Sequence, residues 1–317
     1  MNINMAASFN QKYLNYAYVM LFSFLENQNK GDDICAYVLE SDLDNESKEI
    51  LDELFKKYGA CINFIHVNPA DFPRELKTNE AWSLEIYYRL LLPYIIDDVE
   101  TMLYLDVDVI VNQSVRELFS IDWEEKMVYA YPDVNTPPFG DKRDELLDYQ
   151  LSTGYKYFCS GVMLMNLKKI RKEIRLTDFW ELAKKWNYEM IAPDQDLLNG
   201  IFWNKVGYLE DKYSVYSKYA FNKGSKYEDI KESACIIHFA GDKPWQGQYV
   251  HYNIEQLWWD YAKRTPFYNE FLENFVNKCI NDNLIYDTLT QSLHEKEILK
   301  QELAKASVLL KRLTQFL

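Results

Sequence analysis

Met102-Leu103-Tyr104-Leu105-Asp106-Val107-Asp108-Val109-Ile110-Val111 sets two carboxylates one residue apart between two apolar runs. An apolar run closed by acid reads as a buried strand that ends at the mouth of a sheet. Side chains two apart on an extended backbone share a side, so the spacing predicts that Asp106 and Asp108 point the same way. Two anions held that close repel, and a hard divalent cation between them is the usual reason for such a pair. The stretch therefore predicts a metal site at a strand end.

Reading outward, strand-like and helix-like segments alternate. Residues 3–7 read as a strand and 13–26 as a helix with Leu14, Tyr18, Leu21 and Leu25 on one face. Residues 34–39 read as a second strand. Asp44 or Asn45 then caps a helix carrying Ile50, Leu51, Leu54 and Phe55, which stops at Gly59. A third strand at 62–67, a helix at 82–92 ended by Pro93 and a fourth strand at 101–105 complete the half. Further strands are expected at 128–131, 161–165 and 234–238, with a helix at 194–201 and a turn-rich segment at 135–140. This is an α/β class pattern, a mostly parallel sheet flanked by helices, whose ligands bind beyond the carboxyl ends of the strands. Beyond Asn283, Leu289, Leu293, Leu299, Leu303, Ala306, Leu310, Leu313 and Leu317 recur among Lys and Glu as a coiled-coil seam or surface-bound helix. The expected division is a catalytic domain over 1–262 and a helical region over 263–317.

A length of 317 residues buries a full core, and a net charge of −14 repels phosphate backbones, which argues against nucleic acid as partner. An anionic small substrate meets the same field, which a bound cation would solve. Cys35, Cys61, Cys159, Cys235 and Cys279 are odd in number and form no CxxC pair, so a reducing cytoplasm and no disulfide are expected. The start lacks a basic and an apolar region, so it is not read as a signal peptide, and no apolar stretch is long enough to span a bilayer.

Three further constellations carry chemistry. Pro193-Asp194-Gln195-Asp196-Leu197-Leu198-Asn199 is a good helix start, with Asp194 as N-cap, and equally a polar cluster able to grip sugar hydroxyls. Ile236-Ile237-His238-Phe239-Ala240-Gly241-Asp242-Lys243-Pro244-Trp245 puts an imidazole at a strand end, then a Gly that admits an anion and a Lys suited to phosphate. One imidazole with two carboxylates is a set that Mn²⁺ accepts. Tyr87-Tyr88-Arg89-Leu90 places one Arg in an apolar helix, as a buried ion-pair partner or a ligand contact. The acid pair alone also suits the nucleophile loop of a dehalogenase-like phosphatase. No Thr follows at the required place, however, and Gly140-Asp141 and Gly241-Asp242 both fail the spacing of that fold's second acidic segment.

Taken together and in this order, these segments resemble glycosyltransferase family 8, the retaining hexosyltransferases of GT-A type that include bacterial galactosyl- and glucosyltransferases and glycogenin. The opening strand with Asn10 and the segment 157–167, Tyr-Phe-Cys-Ser-Gly-Val-Met-Leu-Met-Asn-Leu, belong to the match, which spans residues 1 to about 260. The resemblance implies a GT-A (Rossmann-like) fold and Asp106, Asp108 and His238 as ligands of Mn²⁺, with Mg²⁺ as the alternative. It implies a uridine pocket lined by Ala6, Ala7, Ser8 and Asn10, with Asp106 and Val107 near the ribose. Gly241 and Lys243 would clamp the diphosphate. Arg89, Asp194 and Gln195 would hold the donor sugar of UDP-glucose or UDP-galactose, with Gln195 beside the anomeric carbon and Asp196 close behind. Asp133 would lie where donor meets a glycan, glycolipid or glycoprotein acceptor, and residues 132–142 with Trp245, Trp258 and Trp259 would shape the acceptor side. Ser8 stands where the family usually has Asp, an acceptor for the uracil N3–H, and Cys159 where it usually has a sugar-touching Asn. The competing reading is a non-catalytic protein of the same fold that acts through its C-terminal helix.

That helix is expected to form a homodimer, with contact to the inner face of a membrane as the alternative; its mixed Lys and Glu favour the former. Truncation after Asn283 should therefore turn a dimer into a monomer in light scattering. A dimer that survives the deletion would remove the coiled coil from the assembly.

Overall fold

β1 (Asn2–Ser8) is the strand around which the main sheet is built: Ile3, Met5, Ala6 and Ala7 have no exposed surface. Such a continuous apolar run is what a strand covered on both faces requires. In the computed structural model, which describes residues 1–78, 83–133, 154–217, 220, 223–241, 243–246, 253–281 and 292–304, β2 (Asp33–Glu40) and β4 (Thr101–Leu105) flank β1, both parallel to it. β3 (Cys61–His66) pairs parallel outside β2. On the other side β7 (Phe158–Asn166) runs antiparallel to β4, followed by β6 (Val128–Pro132) and β8 (Val206–Tyr208). The order β3-β2-β1-β4-β7-β6-β8 reverses direction between β1 and β4. That reversal opens a crevice beyond Ser8 and Leu105, the place where such sheets bind ligands.

α1 (Leu14–Glu26) and α2 (Asn45–Lys57) connect the first strands. Asp44 is the N-cap of α2, its carboxylate accepting from the Ser47 N–H at 2.8 Å, and Gly59 ends the turn beyond it at φ +67°. The helix expected at 82–92 is instead a 3₁₀ helix over Leu84–Leu91 that runs into α3 (Leu92–Ile95). Pro93 opens α3 rather than ending a helix, because a first-turn residue has no N–H partner to lose. Later helices are α4 (Leu167–Glu173), α5 (Leu176–Lys185), α6 (Pro193–Phe202), α7 (Tyr227–Ser233), α8 (Glu255–Ala262) and α9 (Tyr268–Asn281).

Two expectations are corrected. The last core strand lies outside the main sheet: β10 (Ile236–His238) pairs antiparallel with β5 (Val109–Val111) and parallel with β9 (Val215–Tyr216) in a second sheet. Cys35 and Cys61 are joined by a disulfide, since the parallel register of β2 and β3 makes them direct neighbours with Cα atoms 4.6 Å apart. Cys159 and Cys235 are free and buried, as small apolar groups.

α9 carries the packing past residue 262, for Phe271 is buried and stacks on Tyr16 of α1 at 5.4 Å. Residues 292–304 are helical and leave Leu293, Ile298, Leu299 and Leu303 exposed, Leu303 to 70%. The rest of the leucine seam and the turn-rich segment at 135–140 lie outside the described residues. Among the described residues no helix is long and apolar enough to cross a membrane.

One buried amide ties α6 to the edge of β7. Asn199 accepts from the Phe158 N–H (2.8 Å) and the Tyr155 hydroxyl, and donates to the carbonyls of Phe158 and Gln195 (2.8 Å each). Replacing it with Leu strands several buried polar groups. Asn199→Leu should cost about 2–4 kcal/mol in urea unfolding at unchanged slope, and a loss below about 0.5 kcal/mol would deny the amide this role.

Candidate active site

β4 ends at Leu105, and residues 106–108 form a turn rather than the extended stretch expected. The turn hands the chain from the main sheet to the small one. There the β5–β10 register sets His238 opposite Val109, and the Phe239 N–H donates to the Asp108 carbonyl at 2.9 Å. An imidazole far away in sequence thereby reaches the acid pair. Asp106, Asp108 and His238 each offer one ligand atom, all within 4.8 Å of one another. His238 Nε2 stands 3.3 Å from Asp108 Oδ1, a buried oxygen that completes no hydrogen bond.

The Lys243 ammonium pairs with the other oxygen of Asp108 and donates to the Phe239 carbonyl at 3.1 Å. Burial opposes the charge of Asp108, but Lys243 and His238 outweigh it and hold this carboxyl well below the usual range. Burial likewise opposes a charged His238, and Asp108 overrides it, raising the imidazole well above its ordinary value. Gly161 forms the floor. The Asp106 N–H donates to its carbonyl at 2.9 Å, and a Cβ there would overlap the His238 ring and fall 2.7 Å from Asp106 Oδ2. Cys159 Sγ lies 3.7 Å from His238 Nδ1, on the side of the ring away from Asp108.

Arg89 is a buried ion-pair partner. Its side chain is 4% exposed and lies between Asp106 (2.8 Å) and Asp194 (3.2 Å). It also donates to the carbonyls of Ser160 (2.7 Å) and Ile86 (3.0 Å), over the face of Tyr104. Burial disfavours the guanidinium charge, but the two carboxylates more than offset it and keep it protonated. Three of its N–H groups are thus engaged inside the protein, where Arg89 positions Asp106, Asp194 and the Ser160 carbonyl.

The N-terminus of α6 supplies the third wall. Its N-cap is Ala192, not Asp194, because Pro193 occupies the first helical position. Asp194 turns inward to Arg89 and accepts from the Ser160 hydroxyl at 2.9 Å; burial raises its pKa although Arg89 pulls it down. Gln195 is held at both ends, its Oε1 accepting from the Ser160 N–H (2.9 Å) and its Nε2 donating to Asp133 Oδ2 (2.9 Å). Asp196 faces the other way, accepting from the Tyr157 hydroxyl (2.6 Å) and the N–H groups of Ile191 (2.8 Å) and Ala192 (3.3 Å). It braces the loop that enters the helix. Ser160, which meets Arg89, Asp194 and Gln195 at once, was not among the expected site residues. Its only signal was its place in the 157–167 segment.

On the β1 side, Ala6 and Ala7 are wholly covered and present no surface, being paired on both edges or packed into the core. Ser8 and Asn10 are the partly exposed residues at the strand end. The Ser8 hydroxyl meets the Tyr104 hydroxyl at 2.7 Å, and that in turn reaches Asp106 at 3.2 Å, which links the β1 end to the acid pair. Val107 is half-buried in the turn. Gly241 is exposed at φ +88°, a conformation that favours glycine, and Asp242 lies outside the described residues. Trp258 is fully buried and serves the core, and the half-buried Trp245 packs against it at 5.0 Å.

The family model of glycosyl transferase family 8 matches residues 4–248. A putative glycosyltransferase of Haemophilus influenzae is 29% identical over 300 residues, covering 89% of this chain and 88% of that protein. The lipopolysaccharide 1,2-glucosyltransferase of Escherichia coli is 30% identical over 280 residues, 84% of this chain and 77% of its own length. Among solved structures, an active-site mutant of LgtC superposes with a TM-score of 0.70 at 25% identity, over 83% of this chain and 96% of that one. LgtC described as a galactosyltransferase in complex with donor and acceptor sugar analogues gives 0.68 over the same shares. The fold is thus of GT-A type, with the acid–imidazole cluster at its switch point. The chain belongs to glycosyl transferase family 8 and is a glycosyltransferase.

Proposed function

We propose that the protein transfers a hexose, glucose or galactose, from a UDP-sugar to a hydroxyl of a glycan, glycolipid or glycoprotein, with retention of configuration and with Mn²⁺ as cofactor. The observation that carries this reading is the convergence of Asp106, Asp108 and His238 at the carboxyl end of β4. Two carboxylates and an imidazole suit Mn²⁺ better than Mg²⁺, and the buried Asp108 Oδ1, paired with His238 Nε2 at 3.3 Å, is the oxygen such a cation would share with that ring. When bound there, such a cation would neutralise the donor diphosphate and stabilise the charge developing on the leaving group. The names of the relatives, glucosyl- and galactosyltransferases, support a hexose donor.

The chain's own side chains do the rest. Lys243, on a long flexible stem at the cluster, supplies a second positive charge toward the diphosphate. Gln195 is fixed at both ends of its amide and so forms a rigid wall for the sugar, with Asp133 beside it toward the acceptor. The buried Asp194 carboxylate favours the positive character that grows on the sugar ring. Asp196 already accepts from a hydroxyl and two backbone N–H groups, which weakens its case as a nucleophile. That favours attack by the acceptor hydroxyl on the face that UDP leaves, with the departing phosphate taking the proton. No dedicated base is then required.

Release of UDP from UDP-glucose or UDP-galactose should require Mn²⁺, stop on chelation and fall by roughly a thousandfold or more in Asp108→Ala. Full turnover by that variant without metal would overturn the cation's role, and an inverted anomeric product in NMR would overturn retention. Gly161→Ala adds only a methyl group, yet it presses on His238 and Asp106. It should lose roughly a hundredfold in rate while its circular dichroism spectrum stays that of the parent.

A further inference from the structure

Behind the acid–imidazole cluster, β7 sets two positions against the ring of His238. Residues two apart on a strand share a face, so Cys159 and Gly161 both meet the imidazole, while Ser160 between them turns the other way, to Asp194. Gly161 lies under the Cε1 and Nε2 edge, where a Cβ would overlap the ring. Cys159 takes the other edge, its Sγ 3.7 Å from Nδ1. The sulfur also accepts from the Gly161 N–H at 3.4 Å, which ties it to the strand. From a third side comes Tyr216, set beside His238 by the β9–β10 register, with its buried hydroxyl against the thiol. Cys159, Tyr216 and His238 are all buried.

An imidazole that binds a cation uses one nitrogen for it and keeps the other for the protein. Nε2 of His238 faces Asp108 and the cluster of ligand atoms, so its lone pair is the one a cation would take. The ring proton then belongs on Nδ1. A buried N–H left without an acceptor is costly, and the acceptor that the structure sets at Nδ1 is the Cys159 sulfur. The thiol's own proton has the Tyr216 oxygen beside it, which leaves the sulfur lone pairs for the N–H groups of His238 and Gly161. Sγ meets the edge of the ring turned away from Asp108, so it acts through the imidazole and not on the cation.

We propose that Cys159 is a positioning residue of the metal centre: its sulfur accepts the Nδ1–H of His238 and so holds the ring in the tautomer that offers Nε2 to the cation. The inference rests on the Mn²⁺ reading above and adds the group that orients the imidazole ligand. Partners of this kind are worth roughly tenfold to a hundredfold in metal affinity. Sulfur is a weaker acceptor than a carboxylate or a carbonyl, which places this one at the lower end.

The test has two arms, both on the full chain. Electron paramagnetic resonance counts free Mn²⁺, with UDP present, over the parent and over Cys159→Ala. Nitrogen-15 NMR of ring-labelled histidine, without metal, locates the proton on His238. The alanine variant removes the acceptor and keeps an apolar filler, so it should bind Mn²⁺ roughly tenfold more weakly. In the parent Nδ1 should carry a proton, and its resonance should move upfield in Cys159→Ala as the hydrogen bond is lost. Unchanged Mn²⁺ affinity in the variant overturns the assignment. So does a bare Nδ1 in the parent, which would make the thiol the donor, or an Nδ1–H resonance that stays in place. If Cys159→Ala does not fold, the proton position in the parent decides alone. A parent that binds no Mn²⁺ brings down the cofactor reading, and this inference with it, a result that the NMR arm keeps distinct from the loss of the contact itself.

Discussion

One buried guanidinium sets the geometry of the crevice. Arg89 joins the 3₁₀ helix to the β4 end through Asp106, to α6 through Asp194 and to β7 through the Ser160 carbonyl. Taking that charge out of water is costly, and only the two carboxylates and the aimed carbonyls make it tolerable. The dependence is mutual. Without Arg89, Asp106 and Asp194 would face each other as uncompensated anions in a chain already at −14, and the acid pair would lose its fixed partner. The three walls of the site are therefore one electrostatic unit.

The remaining charges divide by how easily they are exchanged. Asp194 and Asp196 are satisfied by fixed groups: a guanidinium and a hydroxyl for one, a phenol and backbone N–H groups for the other. Asp108 is different, because its partner Lys243 comes from a loop and reaches it by a flexible stem. That partner can move without disturbing Arg89 or α6, which hold Asp106 and Asp194. A rigid half beside an exchangeable half is the division of labour that electrostatic preorganisation needs.

The strand alternation, the acid pair, the strand-end histidine and the parallel sheet were all legible, because each is a local pattern. What escaped depends on contacts distant in sequence. No periodicity tells that β5 and β10 leave the main sheet, nor that the register of β2 and β3 sets Cys35 against Cys61. The helix starts where the sequence reading put it, but Asp194 is not its N-cap, because Pro193 claims the first helical position and leaves the carboxylate for Arg89. Asp196 illustrates the converse: an acid in the segment expected to hold the sugar braces its own loop. Family membership sets aside the phosphatase reading of the acid pair, which residue pattern alone had only weakened.

The packing of the C-terminal region bears on the same site. Trp245 follows Lys243 by two residues and stacks on Tyr16 at 4.4 Å, while Tyr16 stacks on Phe271 of α9. Trp258 of α8 touches both Trp245 (5.0 Å) and Phe271 (5.1 Å). The loop that delivers Gly241 and Lys243 is thus anchored through an aromatic cluster that α8 and α9 complete. Burial of that many rings supplies several kcal/mol, about 1.5–3 for each fully buried apolar side chain. Loosening α9 would reach the Lys243 loop through these rings. Residues 263–281 are in this sense part of the support for the Lys243 end of the crevice, whereas residues 292–304 leave their leucines exposed.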